Sequence, residues 1–255
     1  MIRDQRKEYI EEIIKNRGSI SIKELAKEMN VSYATIRRDL DFFEKKGIIK
    51  RTHGGAINKN IQKKQYSFDI GMDVNKEAKK AIAFEASKLL KEGDIIFIEM
   101  SSSGLYLCDY LSKFKNLTVF TNGCEIAYSA ANSNPSIEIY ITGGYLIKDT
   151  HILTGSLAES SIKNLNFDKA FIGITAIDAI KGITSISYQE VSTKRSIIET
   201  AQTVIGLADF SKFGNFCIHK IASLKDVDIL ITDKKTEPKA IENIKKAGVE
   251  IIIAQ

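Results

Sequence analysis

Apolar residues near the N-terminus recur at the spacing of three short amphipathic helices. The first helical pattern covers about residues 4–16, and the second begins at Ser21. The third begins after Ser32, which we expect to cap it, and its apolar side chains repeat at i, i+4 and i+7: Ile36, Leu40 and Phe43. A short helix, a tight turn and another helix in this arrangement predict a helix-turn-helix.

The segment after the third helix, GIIKRTHGGA over residues 47–56, has the pattern of a small hairpin. Ile48 and Ile49 predict a short strand, and Gly54 and Gly55 permit a tight turn. A hairpin beside a recognition helix is the wing of a winged helix, and basic side chains on it can contact DNA phosphates. The predicted DNA-contacting residues of the wing are Lys50, Arg51, His53 and Gly54.

From about residue 74 onward, short apolar runs alternate with helical patterns. The runs resemble strands that are buried on both faces: residues 94–100, 117–121, 137–142, 169–174, 203–208, 228–232 and 249–254. Strands that alternate with helices predict a doubly wound, mostly parallel α/β sheet. We therefore predict a winged helix-turn-helix domain over residues 1–57, a polar linker over residues 58–73 and an α/β domain over residues 74–255.

Charge is divided unevenly between these parts. Residues 1–65 contain 16 basic and 9 acidic residues, whereas the remaining chain contains 21 basic and 23 acidic residues. The net charge of +7 at the N-terminal end predicts a polyanion partner for that part alone. The sequence has no secretory signal pattern and no apolar run near the roughly 18 residues that span a membrane, so we expect a cytoplasmic protein without membrane contact.

The third helix presents its polar side chains away from its apolar residues. At about 100° per residue, Ala34 and Arg38 lie opposite the apolar side, and Thr35 and Arg37 lie on its flanks. The first turn of a recognition helix meets base edges, and arginine binds guanine or phosphate through two hydrogen bonds. The predicted DNA contacts of this helix are Ser32, Tyr33, Ala34, Thr35, Arg37 and Arg38. Asp39 does not suit DNA, and we expect it to pair with a basic side chain.

The segment ISIKELAKEMNVSYATIRRDLDFFEKKGIIKRTHGGA closely resembles the DNA-binding domain of DeoR-type bacterial transcriptional regulators. Its most specific part is TIRRDL followed by a wing of the form G-x-x-x-R-x-HGGA. The resemblance implies a winged helix with Thr35, Arg37 and Arg38 at a double-stranded DNA operator.

Polar residues follow several of the predicted strands. Ligands of parallel α/β sheets bind beyond the carboxyl ends of the strands, so these residues are candidates for a binding site. The hydroxyls at residues 101–103 suit an anion, particularly phosphate. The candidates are Ser101, Ser102, Ser103, Thr121, Asn122, Gly143, Gly144, Asp178, Glu190, Lys194, Asp209 and Lys212. Structural roles stay open for most of them: a helix cap for the serines, turn formation for TNG and TGG, a turn cap for Asp209 and solvated surface for the lysines.

Further segments resemble the DeoR-type sensor domain: KKAIAFEASKLLKEGDIIFIE, LTVFTNG, IYITGG, FDKAFIGITAI, LADFSKF and ILITD. That domain is similar in fold to ribose-5-phosphate isomerase and glucosamine-6-phosphate deaminase, and it typically binds a phosphorylated sugar as its effector. The resemblance implies phosphate at residues 101–103, with Lys194, Asp209 and Lys212 around the sugar.

The chain departs from the family pattern at the phosphate loop. Where the family usually has D-x-G-T-T, this sequence has Glu99, Met100, Ser101, Ser102 and Ser103. We expect the Cβ of Ser101 to narrow the approach of the backbone to a phosphate, and Glu99 to reach one methylene further than aspartate.

These features predict a transcriptional regulator, a repressor by family resemblance, of carbohydrate metabolism genes under control of a phosphorylated sugar. Because one winged helix contacts one half-site, we expect a homodimer or homotetramer. One alternative is a sugar-phosphate isomerase-like enzyme with a DNA-binding appendage, which would use Asp178, Glu190 or Glu99 as acid or base. Another is an architectural DNA-binding protein whose sensor fold is vestigial. We predict no enzymatic activity, because no compact acid–base motif unites these carboxylates in sequence.

Metal and cofactor chemistry has no support in the sequence. The residues His151 and His219 stand apart from other potential ligands, and no cluster of His, Cys and carboxylates has metal-ligand spacing. The cysteines Cys108, Cys124 and Cys217 are scattered, and we expect them to be buried free thiols of a reducing cytosol. We therefore predict neither a metal nor a cofactor.

Overall fold

The structure is a computed structural model that describes residues 3–17, 19–52, 54–58 and 68–255. The contacts between residues divide the chain into two compact units, Met1–Gly71 and Met72–Gln255. We call them the N-terminal unit and the C-terminal unit.

The N-terminal unit combines a helix-turn-helix with a small antiparallel sheet. Its elements are α1 (Arg3–Arg17), β1 (Ser19–Ser21), α2 (Ile22–Met29), α3 (Tyr33–Lys45), β2 (Ile49–Thr52) and β3 (Gly55–Asn58). The strands lie in the order β1–β3–β2. The predicted helices and wing hairpin are thus confirmed. Strand β1 was not predicted, because three residues are too few to show a strand period.

The apolar residues predicted from helical spacing form the core of this unit. Ile36, Leu40 and Phe43 of α3 are each at most 1% exposed, which confirms the buried side of the third helix. They pack with the other core residues Ile10, Ile13, Ile22, Leu25, Ala26, Met29, Ile49 and Ala56. Burial of each large apolar side chain contributes about 1.5–3 kcal/mol, so this core is what holds three short helices together.

Helix α4 (Phe68–Asp73) falls in the segment predicted as a linker, and the boundary between the units lies within it. The C-terminal unit then begins with α5 (Lys76–Ser87), β4 (Ile95–Ile98), α6 (Ser102–Leu107), β5 (Thr118–Thr121), α7 (Cys124–Ser133) and β6 (Glu138–Ile141). It continues with β7 (Tyr145–Ile147), β8 (Ile152–Thr154), α8 (Ser156–Lys163), β9 (Phe167–Gly173), β10 (Ala176–Asp178) and β11 (Gly182–Ser185). It ends with α9 (Tyr188–Glu199), β12 (Ala201–Leu207), β13 (His219–Ala222), β14 (Ile229–Asp233), α10 (Pro238–Lys246) and β15 (Glu250–Ala254).

A parallel sheet of order β15–β14–β12–β9–β4–β5–β6 forms the centre of the C-terminal unit, which is described throughout. Helices pack against it, and the ring of Phe97 on β4 meets that of Phe167 on β9 at 5.3 Å. The predicted α/β fold is confirmed, and every strand of this sheet was predicted. The hairpin β7–β8 and the small sheet β10–β11–β13 were not predicted.

The order of the strands places a crevice at a particular point of the sheet. From β4 the chain moves outward through β5 to β6, and it then returns to β9 on the other side of β4. The direction of winding therefore reverses between β4 and β9. Parallel sheets open a ligand crevice at such a reversal, beyond the carboxyl ends of the strands.

The three cysteines differ in exposure, so the prediction that all are buried is wrong. Cys108 is buried, Cys217 is half-buried and Cys124, the first residue of α7, is exposed; no disulfide joins any of them. Burial raises the pKa of Cys108 to about 12. No helix within the described ranges combines the length and the apolar composition that a membrane span requires.

Candidate effector site and DNA-binding surface

Helix α3 exposes most of the side chains predicted to contact DNA. The Ser32 hydroxyl accepts a hydrogen bond from the Thr35 backbone N–H at 3.2 Å, which confirms the predicted cap. The Thr35 hydroxyl lies 2.9 Å from that of Ser32, so it also takes part in the cap. Beyond this first turn, Arg37 and Arg38 are exposed and form no ion pair with any residue that the structure describes. Tyr33 and Ala34 are exposed as well.

A buried ion pair ties α3 to α1. The guanidinium of Arg6 binds the carboxylate of Asp39 through Nε and, at 3.3 Å, through Nη2. The hydrogen bond to Asp39 raises the pKa of Arg6 more than burial lowers it. The prediction that Asp39 pairs with a basic residue is confirmed, but its partner lies 33 residues earlier in the chain. This pair sets the position of the recognition helix on the core.

The wing is held against the recognition helix by Arg51. Its guanidinium donates to the Arg37 carbonyl at 3.1 Å and binds the Asp41 carboxylate, and its backbone N–H donates to Glu44 at 3.0 Å. Because Arg51 is bonded to three residues of α3, it attaches strand β2 of the wing to that helix. The Gly54 carbonyl likewise accepts from the Ile22 N–H at 2.9 Å. The side chain of Lys50 and the whole of His53 lie outside the described residues.

In the C-terminal unit, the serines after β4 differ in their hydrogen bonding. The Ser101 hydroxyl accepts from the Gly104 N–H at 3.0 Å and donates to the Glu99 carbonyl at 3.3 Å. The hydroxyls of Ser102 and Ser103 make no hydrogen bond within the described chain. One serine therefore caps the turn, and two offer free hydroxyls to a ligand.

The Cβ of Ser101 occupies a space that Gly173 leaves open on the neighbouring strand. A Cβ built on Gly173, the last residue of β9, would lie 2.5 Å from the Cβ of Ser101. No side chain at position 173 can therefore coexist with this arrangement. The extra atoms of Ser101 thus point across the crevice toward β9, and their expected effect on phosphate binding stays a prediction.

A buried ion pair lies at the same strand ends. Lys194 Nζ is 3.0 Å from Glu99 Oε1 and donates to the Gly173 carbonyl at 2.8 Å, while the Gly173 N–H donates to Glu99 Oε2 at 2.9 Å. Glu99 and Lys194 are 1% and 3% exposed, so Lys194 is not a solvated helix residue. Burial raises the pKa of Glu99, and Lys194 opposes the shift. Glu190 lies near this pair and accepts from the Ser185 hydroxyl at 3.2 Å.

A second polar cluster follows β12. Asp209 Oδ1 accepts from the Ser211 N–H at 3.0 Å, which confirms the turn cap, and from Asn75 Nδ2 at 2.9 Å. Lys79 lies close enough to Asp209 and Lys212 for both to influence its pKa, and burial lowers that pKa to about 8. Asp209 and Lys212 were predicted from the sequence as site residues, whereas Lys79 and Asn75 were not. These two precede the first strand of the sheet, and no strand-end pattern marks them.

Several candidate residues build turns. Thr121 Oγ1 accepts from the Gly123 N–H at 3.1 Å, and Asn122 Oδ1 accepts from the Met100 N–H at 2.8 Å. The interpretation of TNG as turn formation is thus supported, and Asn122 also holds the phosphate loop candidate in place. Any contact of these residues with an effector stays a prediction.

Two other loops also have structural duties. Gly143 and Gly144 have φ of +67° and +114°, and a Cβ on Gly144 would lie 2.5 Å from the Thr154 carbonyl oxygen. Asp178 lies at the turn of the β10–β11 hairpin and accepts from the N–H groups of Ile180 and Lys181 at 2.9 and 2.8 Å. Within the described residues, the Asp178 carboxylate makes no hydrogen bond to Glu99 or Lys194.

No group of three or more His, Cys, Asp or Glu side chains in the described ranges has the arrangement of a metal site.

Two family models match the chain. The DeoR-like helix-turn-helix domain covers residues 6–62, and the DeoR C terminal sensor domain covers residues 74–234. The chain belongs to the DeoR family of transcriptional regulators. It is therefore a DNA-binding regulator of transcription, as predicted.

Relatives match this DeoR-family chain over nearly its whole length. The putative aga operon transcriptional repressor of Escherichia coli O157:H7 is 30% identical over 251 residues, 98% of this chain and 93% of that protein. The HTH-type transcriptional repressor GlcR of Bacillus subtilis strain 168 is 31% identical over 255 residues, 100% of this chain and 98% of that protein. The sorbitol operon regulator SorC from Klebsiella pneumoniae is a similar solved structure, at 14% identity and a TM-score of 0.43, covering 96% and 99% of the two chains.

Proposed function

We propose that this protein is a repressor of carbohydrate metabolism genes whose affinity for its operator is controlled by a phosphorylated sugar. The observation that carries the proposal is the C-terminal crevice, where the unbonded hydroxyls of Ser102 and Ser103 follow β4 and the buried Lys194 pairs with Glu99 at the end of the same strand. Repression is supported by the names of the two relatives, both of which are called repressors.

On the DNA side, the exposed residues of α3 are the proposed contacts, with Arg38 toward the bases and Arg37 toward a phosphate. Tyr33 and Ala34 begin the helix, where a recognition helix approaches base edges. The wing residues Lys50, His53 and Gly54 remain proposed phosphate contacts. Arg51 supports them by fixing the wing to α3. Residues 1–57 then form the DNA-binding domain and residues 74–255 the sensor.

On the effector side, we place the phosphate at Ser102 and Ser103 and the sugar toward Asp209 and Lys212. Charge-assisted hydrogen bonds to a phosphate are about twice as strong as neutral ones, so nearby ammonium groups favour this ligand over an uncharged sugar. Lys79 adds a third buried or half-buried cation to those named from the sequence, Lys194 and Lys212.

The carboxylates that an isomerase would need are engaged elsewhere. Glu99 is paired with Lys194, Glu190 accepts from Ser185, and Asp178 caps a hairpin turn. A general base must be free to take a proton from the substrate. These bonds favour a binding site over a catalytic one, and we propose that the protein is not an enzyme.

We further propose that the protein pairs with a second copy through an apolar surface of the C-terminal unit. Four large side chains around the small sheet β10–β11–β13 are 66–89% exposed: Ile180, Tyr188, Phe216 and Ile218. The rings of Tyr188 and His219 are 5.5 Å apart, and Lys181 lies 6.0 Å from the Phe216 ring, so each aromatic side chain lies near a residue that adjoins one of the two isoleucines in sequence. At about 150–250 Å² per aromatic side chain and on the order of 100 Å² per isoleucine, the four side chains total about 500–700 Å², of which roughly 400–500 Å² is exposed.

Two such surfaces together approach the ~1,000 Å² of a specific interface. In analytical ultracentrifugation we expect the wild type to sediment as an oligomer and the Phe216→Ser/Ile218→Ser variant as a monomer. Leu157→Ser, which alters an equally exposed residue outside this surface, should keep the wild-type mass. A double variant with the wild-type mass would place the interface elsewhere.

The effector proposal is tested by thermal shift with D-glucose 6-phosphate, D-fructose 6-phosphate, D-ribose 5-phosphate and inorganic phosphate. A specific ligand at 100 times its Kd stabilises by about 2.7 kcal/mol, a readily measured rise in Tm. Affinity for a DNA duplex selected by the wild type from a random library is measured in parallel. We expect one sugar phosphate to change that affinity by about fivefold or more.

Lys212→Ala should weaken the response to that sugar phosphate, whereas Lys234→Ala, an exposed lysine after β14, should not. If no sugar phosphate alters Tm or DNA affinity, the architectural alternative is supported. Turnover of any of them would support the enzyme alternative.

A further inference from the structure

Residues 72–75, which begin the C-terminal unit, make three hydrogen bonds that involve side chains of this unit. We call these four residues the junction segment. The Tyr106 hydroxyl donates to the Met72 carbonyl at 3.2 Å, and Lys79 Nζ donates to the Val74 carbonyl at 2.7 Å. Asn75 Nδ2 donates to Asp209 Oδ1 at 2.9 Å. The segment that follows the N-terminal unit in the chain is therefore attached at three points.

Each of these three hydrogen bonds involves a residue that belongs to, or lies near, an element of the proposed effector site. Tyr106 belongs to α6, the helix that begins at Ser102. Asp209 caps the turn that contains Lys212, and Lys79 lies close enough to both for them to alter its pKa. A ligand that reaches Asp209 or Lys79 would therefore contact a direct partner of the junction segment.

The backbone of the junction segment is set in an uncommon conformation. Asn75 has φ of 54° and ψ of 34°, in the left-handed region that asparagine tolerates better than most residues. This single residue turns the chain from α4 into α5. Its side chain reaches Asp209, across 134 positions of sequence, so the turn and the effector site are fixed to one another.

An arriving phosphate changes the energetics of these bonds. The ammonium of Lys79 now donates to a neutral carbonyl, and a phosphate oxygen would compete for it as a stronger, charged acceptor. A ligand alters a distant equilibrium only by binding one arrangement more tightly than another. The attachments of the junction segment are where two such arrangements would differ.

We propose that Asn75 and Tyr106 are positioning residues that transmit effector binding to the DNA-binding domain by holding the junction segment on the effector site. The inference rests on the proposed function, because it needs an effector that alters DNA affinity. It adds the segment through which the effector site is coupled to the DNA-binding domain, and it names two residues that bind neither the effector nor DNA directly.

The test uses Asn75→Gly and Tyr106→Phe in the full-length protein. Glycine keeps the left-handed backbone and removes the side chain that bonds Asp209, and phenylalanine removes only the hydroxyl. Asn166→Gly and Tyr128→Phe are the matched controls, since both residues are exposed and neither contacts the junction segment. The probe is the sugar phosphate of the four-compound panel that raises the wild-type Tm most.

Two quantities are measured for each protein: the Kd for the probe, and the ratio of DNA affinities with and without it. We expect both variants to bind the probe within about threefold of the wild type, while the ratio falls from about fivefold or more to less than about twofold. The controls should retain both wild-type values. Hydrogen exchange at residues 68–75 should respond to the probe in the wild type and not in the variants.

Variants that keep the wild-type ratio would overturn the proposal. So would a loss of probe affinity beyond about tenfold, because the residues would then belong to the binding site itself. A wild type that binds no panel member overturns the proposed function first, a result distinct from either of these. Two variants on separate elements keep the test valid if one of them fails to fold.

Discussion

The two units of this protein differ in the exposure of the positive charges at their candidate binding sites. On α3 of the N-terminal unit, Arg37 and Arg38 are exposed and form no ion pair with described residues. In the C-terminal unit, Lys194 and Lys79 are buried, and each is bonded to a neighbour. Exposed cations suit a large polyanion that approaches from solvent, whereas buried cations suit a small anion that must fit between them. Under the proposed function, one chain therefore binds two different kinds of anion.

The sharpest test of this contrast is Lys194→Met. Removing the ammonium leaves Glu99 buried without its partner, so we expect the free energy of unfolding of the C-terminal unit to fall by about 3–5 kcal/mol. Urea denaturation followed by circular dichroism measures the change. The double variant Glu99→Gln/Lys194→Met should recover most of the loss. A single variant that loses less than about 1 kcal/mol would show that the buried lysine is not an essential partner.

Arg38→Ala tests the opposite design. We expect DNA affinity to fall by about 10–100-fold, because a bidentate base contact contributes about 1–3 kcal/mol, while stability stays nearly unchanged. Fluorescence anisotropy with the selected duplex measures the affinity. Lys239→Ala, an exposed position in α10, is the control and should bind DNA as the wild type does. Unchanged affinity for Arg38→Ala would refute its role at the bases.

The lowered pKa of Lys79 makes the C-terminal unit sensitive to pH. In the folded protein Lys79 loses its proton near pH 8, whereas in the unfolded chain it does so near 10.5. Below pH 8 the folded state carries the cost of burying the charged ammonium. Between about pH 8 and 10.5 the unfolded chain binds more protons than the folded protein, so the free energy of unfolding should rise with pH. Stabilisation by a sugar phosphate should weaken as pH rises through 8, because a neutral amine attracts the anion less.

Thermal melts between pH 7 and 9.5, with and without the sugar phosphate, measure both effects. Lys79→Met should remove this part of the pH dependence. If Lys79→Met shows the same pH profile as the wild type, a group other than Lys79 causes the pH dependence.

Arg37→Ala is expected to have the smallest effect. If Arg37 contacts a phosphate, its removal should weaken binding to all sequences alike and lower the slope of log Kd against log salt by about 1. Titrations at several salt concentrations test this. A sequence-dependent loss would instead place Arg37 at the bases.

Local patterns predicted the parts of the molecule that depend on neighbouring residues. The cap at Ser32 and the buried side of α3 follow from residues three or four apart, and each strand of the large sheet follows from its own apolar run. The same local logic places Ser101, Ser102 and Ser103 just after a strand. The turn cap at Asp209, left open from the sequence as an alternative to a binding role, is present in the structure.

Partners distant in sequence could not be predicted in this way. Arg6 reaches Asp39, Gly173 makes room for Ser101, and Asn75 reaches Asp209 only because separate elements meet in the fold. No pattern in sequence records such a meeting, since period and spacing describe neighbours along the chain. The exposure of Cys124 was mispredicted for the same reason.

The sequence by itself determined the two-part organisation, the winged helix, the parallel sheet and the family. These depend on periodic burial and on short motifs, both of which are local in the chain. Only the tertiary structure decided which charges are paired, which serine hydroxyls are free and where the junction segment is attached. Those properties depend on side chains brought together from distant positions, where burial makes an unpaired charge too costly and selects its partner.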